Sequence, residues 1–102
     1  MVNKNVQAIQ DWLIRNEDKN INNEYSITEK FENDFLEYTV HNLYIEYEDG
    51  FVMFGDEKDV ILSKPRSVLK AFVEDSIEDI IFYENSCKIC FRTCCILISL
   101  LT

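Results

Sequence analysis

The chain has 102 residues, which suits one domain and excludes two of ordinary size. Its apolar residues (47 %) and aromatic residues (13 %) are enough for a packed core, and with Gly 2 and Pro 1 no long low-complexity or disordered span is expected. A net charge of −9, from 10 basic and 19 acidic side chains, repels phosphate backbones and anionic bilayers. Direct nucleic-acid or membrane binding is therefore disfavoured, and a basic protein partner suits the charge. The bland alternative is that the acid serves solubility alone.

The first element is a helix. Val6, Ile9 and Leu13 recur at helical spacing with Trp12 beside them, and Asn3 or Asn5 can cap it. The polar stretch NEDKNINNE, residues 16–24, reads as a loop. A second helix is expected over residues 27–38. Ser26 and Glu29 form a capping-box pattern there, and Ile27, Phe31, Phe35 and Tyr38 lie along one face. The segment FLEYTV within it also suits the start of a strand.

NLYIEYEDGFVMFG, residues 42–55, contains two apolar runs joined by Asp49-Gly50, a dipeptide suited to the positive φ angles of a type I′ hairpin turn. Leu43, Ile45 and Tyr47 would share a face with Val52 and Phe54, and Tyr44, Glu46 and Glu48 would face the other way. DVILS, residues 59–63, reads as a third strand. The segment from residue 64 to 76 reads as a helix, with Ser63 as cap, Pro65 in the first turn, and Val68, Leu69, Phe72 and Val73 as its buried stripe. DIIFYENSCKICF then reads as a second hairpin turning at Asn85-Ser86. The apolar run of residues 95–101 either continues that strand or adds a central one.

The expected fold is α+β: a single small acidic domain over residues 1–102, ordered α-α-β-β-β-α-β-β. An antiparallel sheet of about five strands with two hairpins would be packed by two to three helices. The start, MVNKNVQAIQDW, lacks an apolar signal core, and the end, CCILISLLT, is too short to span a bilayer. A cytoplasmic protein with reduced thiols is the expectation.

All four cysteines fall within CKICFRTCC, as Cys87, Cys90, Cys94 and Cys95. Four zinc ligands normally come from two separated knuckles that surround the ion. Here one candidate pair is adjacent and the other lies three residues away, and on a strand neighbouring side chains diverge. Core packing is the expected role. On a continuous strand, Cys95 would share a face with Ile89, Phe91 and Leu97, and Cys90 and Cys94 would share the other with Ile96 and Ile98. A zinc or redox sensor built on the four thiols is an alternative. His41 is the lone histidine, and the two glycines are too few for a phosphate loop, so no enzyme and no cofactor are expected.

The acidic residues are grouped: Glu29, Glu32, Asp34 and Glu37; Glu46, Glu48 and Asp49; Asp56, Glu57 and Asp59; Glu74, Asp75, Glu78 and Asp79. Together they have the character of a surface that imitates a nucleic-acid backbone, with Tyr44, Tyr47 and Phe51 as anchors. The composition is rich in Asn, Ile, Lys, Glu, Phe and Tyr and poor in Ala, Gly and Pro, as AT-rich genomes encode. In size and charge the chain is like anti-CRISPR and other anti-defence inhibitors carried by phages and mobile elements, and no motif identifies a family. The leading expectation is thus an inhibitor that binds a basic nuclease or other nucleic-acid-binding effector. An immunity protein or antitoxin that neutralises a toxic nuclease relies on the same physics.

Overall fold

The computed structural model describes residues 3–19, 24–56 and 67–101. One α-helix and eight strands form within them, so the expected order with two to three helices is corrected to a predominantly β fold.

The helix α1, Lys4–Arg15, forms as its sequence dictates. The Asn3 side chain accepts from the Asn5 and Val6 amides, and Asn16 ends the helix with its side chain donating to the Trp12 carbonyl. Val6, Ile9 and Trp12 face the core.

The expected second helix is instead a hairpin of β1, Glu24–Lys30, and β2, Phe35–His41. Its turn is closed by the Phe31 N–H donating to the Asp34 carbonyl at 2.8 Å. Ser26 and Glu29, which resemble a capping box, point to opposite faces of β1. The burial of Tyr25, Ile27 and Glu29 alternates with half-exposed neighbours, which is the strand period. Local helical signals lose here to pairing with β8, Cys95–Leu100, at the other end of the chain.

The Asp49-Gly50 hairpin forms as expected, between β3, Leu43–Glu48, and β4, Phe51–Asp56. Asp49 (φ 50°) and Gly50 (φ 84°) take the left-handed conformations of a type I′ turn. The helix expected over residues 64–76 is corrected as well: Ser67–Val73 is β5, paired along β4, and Glu74–Ser76 is one 3-10 turn. β4 carries the apolar run Phe51-Val52-Met53-Phe54 and needs a neighbour on each edge, a demand the β-branched and aromatic residues of β5 meet. The expected strand at residues 59–63 lies outside the described residues, as do Ser63 and Pro65. The second hairpin is β6, Ile77–Phe82, with β7, Ser86–Phe91.

Among the described residues all pairing is antiparallel. One sheet runs β2-β1-β8-β7-β6 and the other β3-β4-β5. Successive strands are neighbours except at two corners where the chain passes between sheets, at Asn42 (φ 50°) and at the 3-10 turn. α1 bridges the β3 edge to the β6 edge: Gln10 Nε2 donates to the Ile45 carbonyl at 2.6 Å, and Trp12 packs on Phe82. The two sheets and the helix share one core, and Phe72 of β5 stacks on Phe91 of β7 with centroids 4.3 Å apart.

Two acidic protons are held by this packing. Burial pushes the Cys87 thiol up from its ordinary 9.0 to about 12. Burial, then the hydrogen bond to Glu29 and the charge of Glu29, raise the Tyr38 phenol above its ordinary 10.0. The unfolded chain releases these protons near pH 9 to 10 while the folded chain keeps them. Their stabilising contribution is therefore complete below pH 9 and is lost as pH climbs towards 12. Urea midpoints measured from pH 7 upwards should fall through that window, and Cys87→Ala or Tyr38→Phe should each make the fall shallower.

Candidate interaction surface

The three-stranded sheet has one face on the core and one outside. Registers place Glu46, Met53 and Ala71 in one outward row and Glu48, Phe51 and Val73 in the next. Phe51 and Val73 are about half exposed side by side, at 46 % and 51 %. Exposed apolar pairs of this kind, flanked by charge, have the make-up of an interface anchor with a polar rim.

A backbone bond extends the rim. The Glu74 N–H donates to the Gly50 carbonyl at 2.9 Å, so the hairpin turn abuts the 3-10 turn. The turn next to Glu48 and Asp49 is thereby placed beside the one that carries Glu74 and Asp75, which lie 25 or more positions further along the sequence. The Glu74 carboxylate accepts from Asn5 Nδ2 at 3.0 Å, tying the start of α1 to the same corner. The Ser76 hydroxyl donates to the Val73 carbonyl at 2.6 Å and shapes the turn. Glu78 and Asp79 follow on β6, both exposed, where the β6–β7 register shifts.

The other expected site residues are placed differently. Tyr44 is buried at 9 % and lines a cleft of about 400 Å³ between α1 and β3, and Tyr47 is half-buried on the inner face, so neither is exposed as Phe51 is. Asp56 ends β4 in register with Leu43 and Ser67, and Glu57 and Asp59 lie outside the described residues. Glu29 is fully buried rather than on a solvated helix face, while Glu32, Asp34 and Glu37 are exposed on the β1–β2 hairpin. Val73, expected in the buried stripe of a helix, is instead exposed at this surface. The signal for it was the apolar character of both faces of β4, its partner strand.

The cysteine parity is corrected. A two-residue turn at Arg92-Thr93 pairs Cys90 with Cys95, so even and odd positions share faces across it. Cys87 and Cys94 are buried in the core with Ile89, Phe91, Ile96 and Ile98, and Cys90 and Cys95 lie on the outer face. Four thiols divided between two faces cannot enclose one ion. Among the described residues no group of three or more His, Cys, Asp or Glu side chains is placed to hold a metal. His41 Nε2 lies 3.1 Å from Glu24 Oε1, a pairing across β1 and β2 with both side chains part-exposed.

Comparison with protein-family models, curated proteins and solved structures finds no match to this chain. Among the described residues no helix is long and apolar enough to cross a membrane.

The joined corner makes a direct prediction. A Cβ on Gly50 meets nothing within 4 Å, so the cost of Gly50→Ala is conformational, arising from φ 84°, and should be about 1 kcal/mol in urea unfolding. The Glu74 amide should exchange with solvent more slowly than its exposed neighbour Asp75 in the wild type, and faster in Gly50→Ala. A Glu74 amide that exchanges as fast as Asp75 in the wild type would break the link between the two turns.

Proposed function

We propose that this chain is a small acidic protein-binding inhibitor that acts in the cytoplasm on a basic nucleic-acid-handling protein, such as a nuclease. The observation that carries the reading is the bond from the Glu74 N–H to the Gly50 carbonyl. It unites two acidic groups into one rim around an apolar pair, Phe51 and Val73. Carboxylates spaced over such a rim attract a groove built for phosphates, and the charge speeds encounter while the apolar pair slows release. Occupation of that groove in place of nucleic acid is the mode of inhibition, and an anti-defence role for a phage or other mobile element is the setting that size, charge and composition favour. The role is binding rather than catalysis.

The test is capture from a host lysate, followed by competition. The captured protein should be basic and should bind nucleic acid, and added nucleic acid should displace this chain from it. Glu48→Lys and Asp75→Lys, from different segments, should each slow association by about 3- to 10-fold, with the difference shrinking as salt rises. Asp18→Lys, beyond the far end of α1, should leave the rate close to wild type. Phe51→Ser should weaken affinity about tenfold or more, mainly through faster dissociation. Binding that ignores both reversals and resists competing nucleic acid would overturn the reading. A captured partner encoded beside this chain as a toxin would move it to the immunity class.

A further inference from the structure

The outer face of the five-stranded sheet holds a feature the acidic surface does not use. The Cys95 and Cys90 thiols share a hydrogen bond, with their sulfurs 3.0 Å apart, across the ladder beside the Arg92-Thr93 turn. The Phe91 N–H donates to the Cys94 carbonyl at 2.7 Å and closes that turn. The next pair, Cys90 opposite Cys95, is therefore a non-hydrogen-bonded pair. In such pairs the facing Cα atoms are about 4.5 Å apart. A disulfide accepts Cα separations of roughly 4.4 to 6.8 Å. The sulfurs need to approach by about 1 Å to reach bonding distance, with no change of register.

Cys95 also lines a cleft of about 650 Å³ whose charged walls are Lys30, Lys88 and Arg92 against the single carboxylate of Glu32. Lys30 is the register partner of Cys95 on β1. In a chain of net charge −9, this is a local excess of cations beside a thiol. We infer that Cys95 and Cys90 form a thiol–disulfide exchange site whose substrate is a small anionic disulfide held in this basic cleft.

The chemistry balances with that substrate as oxidant. The Cys95 thiolate attacks one sulfur of the disulfide, forming a mixed disulfide and releasing one small thiolate. The Cys90 thiolate then attacks the Cys95 sulfur, forming the Cys90–Cys95 disulfide and releasing the second small thiolate. The two protein protons end on the two released thiols, and the small disulfide is reduced by the two electrons the protein thiols lose. The order follows from position, since Cys95 faces the cleft. It is also consistent with the Cys90 thiol, which burial first, then the hydrogen bond and charge of Cys95 and the charge of Asp79, push up to about 11 against the pull of Lys88. Capping Cys95 as a mixed disulfide removes the Cys95 contribution and eases release of the Cys90 proton. Such a disulfide in a reducing compartment is transient, the form redox-responsive thiols take there.

The test compares oxidised glutathione, an anionic disulfide, with cystamine, a cationic one, on the folded full chain. Intact mass and peptide mapping should show loss of two hydrogens located to Cys90 and Cys95, with Cys87 and Cys94 unmodified. At low ionic strength the anionic reagent should react about tenfold faster than the cationic one, and the gap should close at high salt. Lys88→Gln with Arg92→Gln should abolish the preference. Cys90→Ser should trap a stable mixed disulfide on Cys95. If that variant does not fold, early quenching of the wild-type reaction should show the same intermediate. A disulfide that maps to Cys87 or Cys94, or none in the folded chain, would overturn the pair. Equal rates for the two reagents would overturn the role of the cleft, and a mixed disulfide first found on Cys90 would overturn the order.

Discussion

The pairing of β1 with β8 is the constraint on which the rest of the molecule depends. It runs from Tyr25 opposite Leu100 to Lys30 opposite Cys95, joining segments from opposite ends of the chain. The β1–β2 hairpin and the three-stranded β6–β7–β8 meander become one five-stranded sheet through it. Loop-closure entropy opposes a contact so distant in sequence, and burial repays it: Tyr25, Ile27, Ile96, Ile98 and Leu100 all lose nearly all their exposure along this seam. The same register obliges Glu29 to face the core opposite Ile96, where the Tyr38 hydroxyl reaches it. A carboxylate so placed persists only with hydrogen-bonding partners, which ties β2 to the seam by chemistry as well as by its ladder.

That dependence explains what could be read from the residues and what could not. α1 was legible because cap and period agree, and the Asp49-Gly50 hairpin because few other dipeptides accept two positive φ angles. Residues 27–38 and 67–73 carry apolar side chains that fit helical spacing and strand alternation at once. Their choice is made by partners that lie far away in sequence or whose own pairing is not local. β1 is a strand because β8 needs one beside it, and β5 is a strand because β4 is apolar on both faces. The acidic residues of the surface were legible one by one. Their union was not, because it hangs on a single amide at Glu74 and a carbonyl at Gly50. The Cys90–Cys95 pair was hidden for a simpler reason: Arg92-Thr93 has none of the residues that mark a turn, so residues 95–101 suited a continued strand as well as a separate one.

The electrostatics follow from the same layout. Net charge alone describes a uniformly acidic object, yet the structure separates its charges. The rim at Glu48, Asp49, Glu74 and Asp75 belongs to the corner between the sheets, while Lys30 and Lys88 stand on the outer face of the large sheet. Arg92 is the junction: its amide donates to the Ser76 carbonyl at 3.0 Å, and its guanidinium approaches the Asp75 carbonyl at 3.4 Å. The basic cleft therefore begins where the acidic rim ends. A partner with a basic groove would meet the rim and be repelled by the cleft, so the separation of charge would orient such an encounter as well as accelerate it.

Across the large sheet, one outward row reads Lys30, Cys95, Cys90, Asp79, from a cation on β1 to an anion on β6. A disulfide in the middle of this row would join two strands already connected by a two-residue turn. The loop it closes is short, so it constrains the unfolded chain far less than a bridge between distant segments would. It would also leave the number of fixed charges unchanged, because neutral thiols become a neutral bridge. The global fold and the field of the acidic rim should therefore be nearly indifferent to the redox state of this pair. What oxidation alters is local: it removes the thiols and their hydrogen bond from the wall of the cleft. Any consequence must then be read at the cleft itself, in what it can hold, rather than in the stability of the molecule around it.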